Sequence, residues 1–344
     1  MKRTILLVFM AVMLVTGLVV AGCGAPEPAK VIELNISTGM PAMEISTTGL
    51  INPFVASIEE ATGGRVKLNT YVAGALGSAM EQWDMTRSGA TDIGLSCQAY
   101  QRGLFPLTSV IELPFLGIAS AEEGSRILWE LYEKFPEIRA EYGEVKLLSI
   151  TTYSPNQLYM ADKRFSTLED MDGLKIRATG AVQSEMLSLL GGTPVTMPAP
   201  EIYPSMDKGV IDGVFFALPG VYAFKLSEVT KYIAISDLFV GPFWIAMNKA
   251  KWDSLPSNVQ DTIESLAEEK LSLESGRAWD VAAQRGLTMA KDAGIEVYDL
   301  PAGEIARWRK AVAPIYESWI AEMEGNGLPG RAVYEEASRL AQQY

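Results

Sequence analysis

S-T-L-E-D-M-D-G-L-K-I-R-A-T-G (Ser166–Gly180), then G-G-T-P-V-T-M-P-A-P-E-I-Y (Gly191–Tyr203) and D-K-G-V-I-D-G (Asp207–Gly213), form the stretch that decides the fold. Ser166 with Glu169 three residues on predicts a capped turn of helix, which Gly173 ends. Leu174-Lys175-Ile176-Arg177 then alternates with the period of a strand. That places Lys175 and Arg177 on one face and Leu174 and Ile176 on the other. An arginine at a strand end suits a carboxylate, because its planar fork donates two parallel, charge-assisted hydrogen bonds. A surface arginine on an edge strand has the same spacing, so spacing alone leaves both readings open.

Towards the N-terminus the pattern is α/β. Val31–Ile36 reads as a first strand that opens into Ser37-Thr38-Gly39-Met40-Pro41, with a helix over about Leu50–Thr62 and a second strand over Val66–Tyr71. A helix through Met80–Arg87 and a short buried strand, Ile93–Cys97, follow. Ligand-facing loops are expected at the carboxyl ends of these strands, which brings in Ser37 and Cys97. The glycines of Gly74–Gly77 lack the lysine and spacing of a phosphate-binding loop. Ser120 with Glu123 predicts a capped helix over about Ala121–Lys134, and Val145–Thr152 a strand leading into the second half.

Beyond Gly213, strands are expected over Val229–Ser236 and Phe243–Met247. One helix is then expected from Asn258 to Ala290, opened by a capping box at Ser257–Gln260. At 1.5 Å per residue that helix would approach about 50 Å. Helices over Trp308–Tyr344 complete the chain.

At the start, Lys2 and Arg3 precede an apolar run, Ile5–Val20, that ends V-V-A-G-C. This is the form of a bacterial lipoprotein leader, cleaved before Cys23, whose sulfur would carry the lipid. Residues 1–22 therefore read as signal peptide and 23–30 as linker, and the protein as exported and membrane-anchored. With Cys23 lipidated, Cys97 has no partner for an internal disulfide. The chain carries a net charge of −13 and no histidine. Acidity argues against nucleic-acid binding. The missing histidine removes the usual general base and the commonest zinc ligand. No nucleophile motif stands in, so no enzyme activity and no cofactor or metal is expected.

The order Gly173–Arg177, Gly191–Val195, Glu201–Tyr203 and Gly209–Gly213 resembles that of the substrate-binding proteins of TRAP (tripartite ATP-independent periplasmic) transporters. Phe105–Thr108 and Glu112–Gly117 add to the resemblance, which extends over nearly the whole chain after the leader. It implies a two-lobed periplasmic-binding-protein-like α/β fold with a long helix spanning both lobes. Residues 31–150 with about 243–280 would form lobe I, and 151–242 with about 281–344 lobe II. It also implies a receptor that captures an organic acid by hinge closure and delivers it to membrane permease subunits, with Arg177 holding the carboxylate.

The sequence departs from the family where further polar groups are usual. Gln157 stands where many members have a second basic residue, Phe216 where a polar residue follows the turn, and Cys97 at an acidic or polar position. A second carboxylate would thus be buried unpaired, at a cost of roughly several kcal/mol. The expected ligand is therefore an apolar or aromatic monocarboxylate, bounded by Phe215 or Phe216, Tyr153, Tyr159 and Trp244, with Gln157 as a hydrogen-bond donor. A C4-dicarboxylate or 2-oxoacid receptor, or a lipoprotein that only senses or scaffolds, are the alternatives.

Overall fold

Alternation of β-branched runs with capped helical segments produces two separate sheets, which the chain visits in turn. In a computed structural model, which describes residues 31–344, the first half contributes β1 (Ile32–Thr38), α1 (Asn52–Ala61), β2 (Val66–Tyr71), α2 (Gln82–Ser88), β3 (Ile93–Cys97), α3 (Ala121–Lys134) and β4 (Val145–Thr152). The leader, Cys23 and the linker lie outside the described residues. The chain then builds β5 (Asn156–Met160), β6 (Lys175–Ala178), α4 (Ala181–Leu189), β7 (Thr193–Thr196), β8 (Gly213–Ala217) and β9 (Tyr232–Ile235). It returns through β10 (Pro242–Asn248), α5 (Ser257–Leu266) and α6 (Glu268–Asp292), and ends with β11 (Glu296–Asp299), α7 (Ala302–Val312), α8 (Pro314–Gly325) and α9 (Gly330–Gln343).

One sheet has the order β2-β1-β3-β10-β4 and the other β11-β9-β5-β8-β6-β7. β1 and β3 pair in parallel, whereas β10 runs antiparallel between β3 and β4. In the second sheet β6 is parallel to β7 and β8, and β5 is antiparallel to β8 and β9. The chain passes between the sheets at Tyr153–Pro155, at Ser236–Gly241 and along α6. This is the two-lobed α/β architecture implied by the sequence, with a long helix present. β5 and β7 were not read from the sequence: β5 is buried along its whole length and β7 is four residues long.

The long helix is shorter than expected. Ala267 is extended and Glu268 has φ +59°, so the expected single helix is two, α5 and α6. α5 packs towards α1, while α6 lies on α3 and β4, and one straight helix cannot follow both directions. β4 holds the break: Ser149 Oγ donates to the Glu268 carbonyl at 2.9 Å, and Lys146 Nζ reaches Glu264 at 2.6 Å. The 25 residues of α6 span about 37 Å and touch elements of both sheets. Asp280, midway along it, accepts the Ala121 and Glu122 N–H groups and so caps α3.

Capping differs in detail from the sequence reading. The box before β6 is made by Thr167 and Asp170, one residue beyond Ser166 and Glu169. Ser120 Oγ accepts the Glu123 N–H as expected. α5 has Pro256 at its N-cap and no side-chain cap. The C-terminal helices also depart from a simple assignment to the second lobe. α9 packs on α3, Lys134 pairs with Glu336 at 2.9 Å, and Trp319 Nε1 donates to Ser109 Oγ at 2.8 Å. Among the described residues no helix is long and apolar enough to cross a membrane.

Candidate functional site

A cavity lined by residues of both sheets lies where the crossings bring the sheets together. β6 delivers Arg177 to it. Lys175 and Arg177 share a face, but only the carboxyl end of that face is covered, so Lys175 is exposed and Arg177 is 3% exposed. The guanidinium is held on three sides: Nε donates to the Met197 carbonyl at 3.0 Å, Nη1 to Thr179 Oγ1 at 2.6 Å, and Nη2 to Tyr100 Oη at 3.5 Å. Its Cζ lies 5.9 Å from the centroid of the Phe216 ring. Among the described residues no carboxylate comes within ion-pair distance of it, and it is the one cation lining the cavity. A buried cation lacking a protein counter-ion is costly.

Rings form much of the remaining wall. Tyr153 follows β4, Phe243 lies in β10 and Trp279 in α6. Phe243 and Trp279 stack with centroids 6.2 Å apart, and Tyr153 sits 6.0 Å from each. Phe216 on β8 meets Phe224 edge-on at 5.3 Å. Two glycines make room for these rings: a Cβ on Gly241 would lie 2.2 Å from Tyr153 Oη, and one on Gly220 would lie 2.3 Å from the Phe216 ring. Asn156 Nδ2 donates to Tyr153 Oη at 3.3 Å. Tyr100 Oη also accepts the Ala199 N–H at 2.9 Å, so one phenol from the first sheet touches two groups of the second.

Burial governs the titrating groups. It pushes the Cys97 thiol up to about 12 and Tyr100 to about 12, the latter against the pull of Arg177. Both stay protonated at neutral pH. Burial also pushes Glu44, in the turn after β1, up to about 7, although Ser46 donates to it through its N–H at 2.8 Å and its hydroxyl.

Of the residues singled out from sequence, Arg177, Cys97, Tyr153 and Phe216 line the cavity. Five others do not. Gln157 is spent on the Ser236-Asp237 turn: Nε2 donates to Asp237 at 2.6 Å and Oε1 accepts the Ser236 N–H at 2.8 Å. Its neighbour Asn156 faces the cavity instead. Trp244 packs edge-on against Trp83 on the far side of β10, and Phe243 takes the cavity side. Phe215 is buried against Trp308 and Phe239, since neighbours on a strand alternate. Tyr159 is buried and donates to the Ala217 carbonyl at 3.1 Å, and Ser37 donates to Gln82 at 2.8 Å. Lys163 and Arg164, basic residues close to β6 in sequence, pair with Asp170 and Glu296. Sequence reasoning missed Met40, Glu44, Tyr100, Thr179, Phe224 and Trp279. Only the Gly39-Met40 turn after β1 carried a signal for any of them.

The architecture is shared with known proteins. A structure of a TRAP solute-binding protein from Rhodoferax ferrireducens T118, in complex with copurified benzoate, superposes with a TM-score of 0.87 at 27% identity, covering 91% of this chain and 98% of that one. A marine metagenome TRAP solute-binding protein described as specific for aromatic acid ligands, in complex with metahydroxyphenylacetate, gives 0.87 at 29% identity over 91% and 99%. A solute-binding protein of Chromohalobacter salexigens is 27% identical over 274 residues, 79% of this chain and 80% of its own length. The family described as bacterial extracellular solute-binding protein, family 7, matches residues 36–322. The chain belongs to that family, and is a substrate-binding protein of the TRAP transporter type.

Proposed function

We propose that this protein captures an aromatic monocarboxylate outside the cytoplasm and hands it to a TRAP permease, and that Cys23 tethers it to the membrane once residues 1–22 are removed. The observation that carries the ligand class is Arg177: a buried guanidinium with no carboxylate beside it among the described residues, set in a cavity walled by rings. The ligand carboxylate would take the N–H groups of Nη1 and Nη2 left over from Thr179 and Tyr100. Its ring would lie among Phe216, Tyr153, Phe243 and Trp279, gaining about 25 cal/mol for each Å² withdrawn from water. The two sheets act as lobes that close by bending at Tyr153–Pro155 and Ser236–Gly241. Similarity to a benzoate complex and to an aromatic-acid receptor supports this reading.

Calorimetry on a panel tests it. Benzoate, phenylacetate and mandelate are expected to bind more tightly than succinate, malate or fumarate, since among the described residues only Arg177 brings a cation to the cavity. Clear binding of the C4 dicarboxylates with none of the aromatic acids would overturn the ligand class.

A further inference from the structure

Arg177 and the rings leave two polar groups of the cavity wall without a role. Glu44 is 2% exposed; its Oε2 takes both hydrogen bonds from Ser46, and no other side chain among the described residues donates to its carboxyl. Trp279 is 5% exposed, and its buried Nε1–H has no partner among the described residues. Both side chains line the cavity, and their segments meet where Gly49 packs against Ala278, one residue before Trp279. Buried polar groups in native structures are nearly always satisfied, so an orphan donor and a spare acceptor in one wall point to a ligand.

We propose that Glu44 and Trp279 form a second polar subsite, which takes a hydroxyl carried by the ligand away from the carboxylate held by Arg177. This rests on the aromatic-carboxylate reading above and narrows it to hydroxylated acids. The chemistry is complementary: a hydroxyl donates to Glu44 Oε1 and at the same time accepts from Trp279 Nε1–H. An ammonium group could serve Glu44 but would leave the tryptophan unpaired. A second carboxylate could serve the tryptophan but would meet an acceptor at ionised Glu44. Burial pushes Glu44 up to about 7, and a hydroxyl fits it in either state, since it can donate to the carboxylate or accept from the acid.

The test is a ratio of dissociation constants by calorimetry at pH 7, benzoate over 3-hydroxybenzoate and phenylacetate over 3-hydroxyphenylacetate. For the unaltered protein at least one ratio is expected to favour the hydroxylated acid by about tenfold or more, because a site built to bond a hydroxyl rejects the analogue lacking it. Trp279→Phe, which keeps a ring but removes the N–H, and Glu44→Leu are each expected to bring that ratio towards one. Ratios near one in the unaltered protein overturn the subsite while leaving the aromatic-acid reading standing, and so does a tenfold ratio that survives both substitutions. Binding of none of the four acids overturns both.

Discussion

The two walls of the cavity are built on opposite plans. The second-sheet wall places its charge with one four-residue strand, β6, and holds Arg177 by the bonds it donates to Thr179 and Met197 close by. The first-sheet wall collects Glu44, Tyr100, Tyr153, Phe243 and Trp279 from segments scattered over more than 230 residues. Acids follow the same division. On the first-sheet side Glu44 and Glu112 are buried and Glu141 half-buried, and desolvation pushes them up to about 7, 8 and 7. On the second-sheet side Glu169 is exposed and held down at about 2 by its hydrogen bonds to Arg307. One wall thus raises its own acids by desolvation, while the other carries the cation.

Arg177→Ala should break this division outright. Removing the guanidinium strands a desolvated carboxylate, a loss of about 2–5 kcal/mol, enough to take calorimetric binding of benzoate beyond detection. Arg177→Lys should retain weak binding, because a point charge cannot reproduce a fork. Unchanged affinity in Arg177→Ala would move the carboxylate elsewhere.

The same contrast explains what could be read from sequence. Arg177 was legible because its strand, the Gly191-Gly192 break and the Asp212-Gly213 turn are local signals in a fixed order, and local order also revealed most strands and α3. The ring wall was legible only to within one residue. The sequence points to Gln157 where Asn156 faces the cavity, and to Trp244 where Phe243 does. β5 and β10 are buried on both faces, so no alternation of polarity marks which side is which, and a slip of one residue exchanges the faces. Trp279 and Tyr100 reach the site only through tertiary packing, of which the sequence gives no sign. The α5–α6 break escaped because Ala267 and Glu268 are ordinary helix formers; contacts with β4 impose the turn.

The raised acids of the first-sheet side sharpen the comparison through pH. Each has a folded-state value above the ordinary 4.5, so the fold favours the protonated form. Their stabilisation is complete below about pH 4.5 and is lost as pH rises through about 7 to 8. The chain has no histidine to titrate in that window. The unliganded protein should therefore melt at a higher temperature at pH 5.5 than at pH 8.5, as followed by circular dichroism. Glu112, which makes no hydrogen bond among the described residues, has the largest rise of the three. Glu112→Gln should flatten part of the dependence, and an unaltered slope would remove Glu112 as its source.

The smallest expected effect concerns the contact between the walls. Tyr100, in the turn after β3, accepts the Ala199 N–H at 2.9 Å and stands 3.5 Å from Arg177 Nη2, so its hydroxyl ties the ringed wall to the charged one. Tyr100→Phe keeps the ring and removes that tie. If the sheets close as proposed, the Ala199 N–H is then left buried without a partner in the closed form only, because opening would let water reach it. A net hydrogen bond of about 0.5–1.5 kcal/mol corresponds to an affinity for benzoate lower by about 2- to 12-fold. The loss should appear in the dissociation rate measured by stopped-flow fluorescence, since the bond forms only after closure. Melting of the unliganded protein should move far less than melting of the complex. If Tyr100→Phe instead slows association and leaves dissociation unchanged, the phenol acts on ligand entry, and the two walls are held together by the ligand alone.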